Sequence, residues 1–210
     1  MSENKISMLE QRDTTRIEAF SDGVIAIIIT IMVLEIHAPH EPTLAALGEI
    51  WPTLIAYILS FIYVAIYWVN HHKMIGAAPR FSVTMHWANM ALLFTLSLLP
   101  ISTKWLGQFP LQAVPTATYL VTLILPAMAY ALLNREVLYL VGHETVPPLV
   151  VRAMRIKQRS SLFIYAVGIA LAFVAPALSL VCAALVSVVW IVPDGPFDRL
   201  LTRKVKARHK

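Results

Sequence analysis

Apolar residues fill this chain in long runs, and the polar residues between them fall in short clusters. A helix that crosses a bilayer needs about 20 mostly apolar residues. The runs over 17–36, 52–70, 83–105 and 114–141 each meet that requirement. Prolines punctuate them. Pro52 falls near the first turn of the second run, where a missing N–H matters little. Pro100 lies late in the third run and predicts a kink or an early end, and Pro126 lies inside the fourth. The last run, 162–192, is too long for one untilted helix, and Ala175-Pro176 falls near its middle. It predicts two short helices, 160–174 and 177–192, joined by a tight turn. The expectation is an all-α integral membrane protein with six transmembrane helices.

The basic residues give that count an independent reading. Numbering the connections in order and taking alternate ones together places 16 Lys and Arg residues on one side and 1, Lys104, on the other. Short loops rich in Lys and Arg stay on the cytoplasmic side. Six helices therefore predict cytoplasmic N- and C-termini in the inner membrane of the cell. Five helices would send the six basic residues of 199–210 across the membrane. The expected organisation is a transmembrane domain over 1–198 and a basic cytoplasmic tail over 199–210. Trp51, Tyr67, Trp68, Trp87, Trp105 and Trp190 all fall near expected helix ends, as interfacial aromatic residues do.

Composition agrees. Hydrophobic residues make up 58% of the 210 and charged residues 14%, against about 25% charged in a soluble domain. The net charge of +5 resides in short loops and the tail, a pattern of membrane topology and not of a nucleic-acid surface. The single Cys182 excludes an internal disulfide and a cysteine-based metal cluster. No small-x-small cleavage pattern follows the first apolar run, which reads as a retained helix.

Polar groups within spans are costly, so each needs a reason. The first run is the richest, with Arg16, Phe20, Ser21 and Asp22 at its start and Thr30 inside it. Arg16 and Phe20 are four apart and share a face. Asp22 reads either as half of an interfacial Ser-Asp cap or as a buried carboxylate with a partner elsewhere. At about 100° per residue, Ile27, Thr30, Ile31 and Leu34 fall on one stripe and Asp22 falls roughly 140° from Ile27. Such a stripe ordinarily faces lipid or core. In the second run His71 and His72 point about 100° apart, so one metal cannot easily take both. In the third, Asn89 is placed to bond across helices. Asp22, a histidine and Asn89 share one depth, which permits a single polar network. The chain has no H-E-x-x-H, no Gly-rich phosphate loop, no G-x-S-x-G and no Thr-Val-Gly-Tyr-Gly filter. No enzyme chemistry, metal or cofactor is expected.

The first run, Arg16-x-x-x-Phe20-Ser21-Asp22-Gly23-Val24-x-Ala26-Ile27 followed by Thr30 and Leu34, resembles the signature of the transmembrane protein 175 family of potassium channels. Trp68 with His71-His72, then Trp87-x-Asn89 through Leu99-Pro100, match in order. The detailed match covers the first half of the chain; the rest agrees in hydropathy. The resemblance implies a homotetramer in the lipid bilayer whose first helices line a central pore for potassium ions. It implies an aliphatic constriction at Ile27, further rings at Ile31 and Leu34, and a selectivity contribution from Thr30. It also implies a structural network of Arg16, Phe20, Ser21, Asp22, His71 or His72, Trp87 and Asn89. Whether Thr30 or Ile31 faces the axis stays open, as does the choice of histidine. The competing reading is a secondary transporter or proton-coupled permease using Asp22 and the histidines as a relay. Transporters more often carry inverted repeats and broken helices, and neither is evident.

Overall fold

The computed structural model describes residues 3–78, 82–142 and 146–191, and among these every regular element is a helix. In chain order they are α1 (Glu3–Leu34), α2 (Leu44–Glu49), α3 (Trp51–Ala77), α4 (Val83–Leu96), α5 (Leu99–Gln108), α6 (Ala113–Val141), α7 (Pro148–Leu171) and α8 (Pro176–Ile191). The expected basic tail 199–210 lies outside the described residues, as does Arg80. Among the described residues, four stretches are long and apolar enough to cross a membrane: Thr15–Leu34, Trp51–Ala77, Val83–Gln108 and Ala113–Val141. This is a membrane protein built of apolar helices. α8 is apolar but only 16 residues long.

The prolines act where the sequence puts them. Pro52 stands in the first turn of α3. α4 ends at Leu96, a turn follows at Ser97 and Leu98, and Pro100 stands in the first turn of α5. The third apolar run is thus two helices, because a proline ring clashes with the carbonyl four residues back. Pro126 is different, since α6 continues through it to Val141. It removes the N–H that would reach the Thr122 carbonyl. One residue on, the Tyr63 hydroxyl donates to the Leu123 carbonyl. Side chains of neighbouring helices commonly serve backbone groups that a proline loosens within a membrane.

Two expected boundaries are corrected. The second helix does not stop at 70 but runs to Ala77, because His71, Met74 and Ile75 are all buried. The fifth is not a short helix beginning at 160; α7 begins at Pro148 and has 24 residues. Hydropathy alone ends it at its charges. Yet Val150, Met154, Ser161, Tyr165 and Gly168 form one buried stripe at helical spacing straight through Arg152, Arg155, Lys157 and Arg159. α7 and α8 then form a hairpin. The Ser179 hydroxyl donates to the Gly168 carbonyl at 2.7 Å near the turn. At the other end the Trp190 indole donates to Ser161 Oγ at 2.9 Å, and Lys157 Nζ lies 4.8 Å from the centre of the Trp190 ring.

α3, α5 and α6 are latched by hydroxyls. Ser60 Oγ meets Thr103 Oγ1 at 2.7 Å and the Tyr119 hydroxyl at 3.0 Å, and Thr122 donates to Ser102 at 2.6 Å. Small residues let membrane helices approach closely, and Gly107 is the tightest case. A Cβ there would lie 2.9 Å from the Thr53 Cα, a backbone atom that cannot swing aside. Gly107→Ala should therefore destabilise the protein by about 1–3 kcal/mol through overpacking. Thermal unfolding in detergent checks it, and an unchanged midpoint would contradict the close approach of α3 and α5.

Candidate functional site

α1 has two unlike faces. Ser21, Ile25, Ile28 and Met32, spaced at helical intervals, are all buried against the rest of the chain. The other side carries Phe20, Ile27, Ile31 and Leu34, and these are exposed, by 58% at Ile27, 42% at Ile31 and 77% at Leu34. Nothing lies within 4 Å of where a Cβ on Gly23 would point. Thr30 is also exposed, and its hydroxyl donates to the Ile27 carbonyl at 2.8 Å. That bond occupies the hydroxyl proton and leaves the oxygen's lone pairs as acceptors. The side chains that the resemblance places along a pore thus share one exposed face of α1.

What fixes the rotation of α1 is a polar cluster at the level of Asp22. Ser21, His71 and Asn89 are fully buried. His71 Nε2 lies 2.7 Å from Asn89 Oδ1, and Asn89 Nδ2 donates to Ser21 Oγ at 3.0 Å. With the amide so oriented, the imidazole is the donor and its proton sits on Nε2. One residue along α1, Asp22 Oδ1 accepts from the Trp68 indole at 2.9 Å. One turn earlier, Glu18 Oε1 lies 2.6 Å from His72 Nδ1. Residues 68, 71 and 72 of α3, one turn of helix, thus engage 22, 21 (through Asn89) and 18 of α1. At the opposite end Lys104 Nζ of α5 lies 2.6 Å from a Glu35 carboxylate oxygen. Both ends of the apolar part of α1 are tied to the bundle.

The two histidines take different partners, His71 in the buried chain and His72 on Glu18 nearer the surface. Adjacent residues on a helix point about 100° apart, and one turn of α3 sends them to different neighbours. Phe20 and Arg16 are exposed, and Trp87 is 72% exposed, two residues from Asn89 and turned away from it. The structure therefore joins Ser21, Asp22, His71 and Asn89 to α3 and α4 and leaves Arg16, Phe20 and Trp87 outside. Sequence reasoning missed Glu18. The signal was there, since Glu18–Asp22 and Trp68–His72 are both i, i+4 pairs. Among the described residues, no group of three or more His, Cys, Asp or Glu could hold a metal ion.

Asp22 is half-buried and its carboxylate carries the Trp68 indole. Asp22→Ala removes the acceptor of the half-exposed Trp68 indole and should cost about 1 kcal/mol. It should lower the amount of assembled protein recovered in detergent, while Asp22→Asn, which keeps an acceptor, restores most of it. Full recovery of Asp22→Ala would reduce Asp22 to an interfacial residue with no anchoring role.

Comparison with known proteins places this geometry in context. The sequence profile described as "Endosomal/lysosomal potassium channel TMEM175" matches residues 16–100, the stretch that holds α1 from Arg16 onward, the polar cluster and Pro100. A protein named a potassium channel from Chryseobacterium sp. (strain P1-3) is 41% identical over 186 residues, covering 89% of this chain and 96% of that one. Another so named, from Streptomyces collinus (strain DSM 40733 / Tue 365), is 31% identical over 186 residues, covering 83% and 90%. The fold matches the crystal structure of a lysosomal potassium-selective channel TMEM175 homolog from Chamaesiphon minutus. The TM-score is 0.75 and the identity 28%, over 86% of this chain and 97% of that one. This chain belongs to the TMEM175 family.

Proposed function

We propose that this protein is a potassium channel, assembled from four copies of the chain with the exposed face of α1 lining the pore. The observation that carries the reading is the division of α1. One face is buried and latched through Ser21 and Asp22, while the other leaves Ile27, Ile31 and Leu34 exposed. One helix encloses nothing, so a pore on this face needs several copies around an axis. The relatives named as potassium channels support the choice of ion.

Four Ile27 side chains meeting at the axis exclude water, and a dewetted constriction stops a hydrated cation without a polar gate. A small radial widening readmits water. Ile31 and Leu34 form further aliphatic rings beyond it. Thr30 offers four hydroxyl oxygens whose protons point back to the Ile27 carbonyls, so the lone pairs are free to meet a partly dehydrated cation. Without a carbonyl cage, potassium preference is moderate. The residues of the polar cluster hold α1 in this rotation and touch no ion.

In this reading the apolar half of α7 and the apolar α8 complete six spans, and the bias of basic residues puts both termini in the cytoplasm. Mass measurement of the purified protein in detergent tests the assembly. A tetramer is expected, and a monomer that still conducts would overturn the pore. Reporter fusions at both ends test the topology, and a translocated C-terminus would overturn it.

A further inference from the structure

The first half of α7 has a face that the channel reading does not use. Its buried stripe runs through Val150 and Met154, which pack with Val146 against Leu138 and Val141 at the end of α6. Taking Val150 as the origin and about 100° per residue, Arg152, Arg159 and Arg155 fall near 200°, 180° and 140°, directly opposite that stripe. Lys157 falls on the buried side instead, over the Trp190 ring. The three arginines are exposed, and among the described residues no carboxylate pairs with any of them. They line one open groove of about 610 Å³ together with Val146, Val151 and Ile156, and among the described residues no acidic side chain lines it.

The geometry points to this groove as a binding site for the phosphate headgroup of an anionic phospholipid, held by Arg152, Arg155 and Arg159, with the acyl chains running on past the exposed Phe163 on the same face. The positive-inside tendency does not set basic residues on one face; the buried stripe opposite does that. Neither accounts for the choice of arginine at all three groove positions while the one lysine turns inward. Arginine presents a planar fork that bonds phosphate oxygens in pairs, where lysine offers a point charge. Depth favours a lipid over a soluble anion. Arg159 stands directly before Ser160, where the apolar half of the helix begins, so the groove lies at the level of headgroups. Basic pockets at the ends of membrane helices recognise anionic lipids on these terms. The inference rests on membrane residence and not on which ion the protein conducts.

Native mass spectrometry of the full chain, purified with equal amounts of phosphatidylglycerol and phosphatidylcholine, tests it. The protein should retain phosphatidylglycerol in preference, by on the order of tenfold. Arg155→Gln removes the middle arginine and leaves the neighbouring charges that set topology, so it should lower the preference several-fold. The triple variant Arg152→Gln, Arg155→Gln, Arg159→Gln should abolish it. If the triple variant does not accumulate, Arg155→Gln decides alone. Equal retention of the two lipids by the unaltered protein would overturn the site, and so would an unchanged preference in Arg155→Gln. Glycerol 3-phosphate carries the same phosphate without chains and should displace little lipid. Ready displacement would overturn the assignment to a lipid in favour of a soluble anion.

Discussion

Ile27→Asn should raise potassium current and lower the preference for potassium over sodium. Ile27 stands on the exposed face of α1, about one and a half turns past the latched Ser21 and Asp22. Four isoleucines around an axis leave a gap that water enters only at a cost. Four amides there would each hold water, so the dewetting barrier should fall. A current rise on the order of tenfold corresponds to a barrier lower by about 1.4 kcal/mol. Selectivity falls with it, because a wetted constriction passes ions with more of their hydration. Thr30→Ala separates gate from selectivity. It removes four hydroxyl oxygens and leaves the aliphatic ring, so potassium preference should drop with little change in open probability. A lipid-facing stripe predicts otherwise, with Ile27→Asn destabilising the protein and leaving any surviving current unaltered. Single-channel recordings of the two variants separate these outcomes.

Asn89→Leu should have the largest effect on assembly. Asn89 is the hinge of the buried chain, accepting from His71 and donating to Ser21 in a fully buried site. Leucine is similar in volume but leaves both groups without a partner, at about 1–3 kcal/mol each. The loss falls on the contact that fixes the rotation of α1, so it should appear as lost oligomer as well as lowered stability. Size-exclusion profiles in detergent should shift from the assembled peak to smaller species. His71→Leu in the same background should add less than its own single effect, since the two residues act as one unit. Additive effects would mean that His71 and Asn89 contribute separately.

The four long apolar helices were legible because lipid imposes length and hydropathy on a span. The bend before Pro100 was legible because a proline ring has one steric consequence wherever it stands in a helix. The start of α7 was not, since four basic residues mask a stripe whose buried members include Ser161 and Gly168. The short helix α2 was not either; six residues capped by Thr43 leave too little periodicity to read. At the site, the motif residues were visible as types, but their pairing was not. Which histidine meets Asn89 depends on the rotation of α3, set by packing along its whole length. Trp87 shows the same limit from the other side, since its closeness to Asn89 in sequence becomes a difference of about 200° around the helix.

The central claim is that this chain forms a pore that prefers potassium, and bilayer recording of the purified protein under opposed potassium and sodium gradients tests it most directly. Discrete channel openings are predicted, with a reversal potential displaced toward the potassium equilibrium potential and no need for a proton gradient. A reversal potential at zero, or ion movement without discrete openings that depends on a proton gradient, would contradict it.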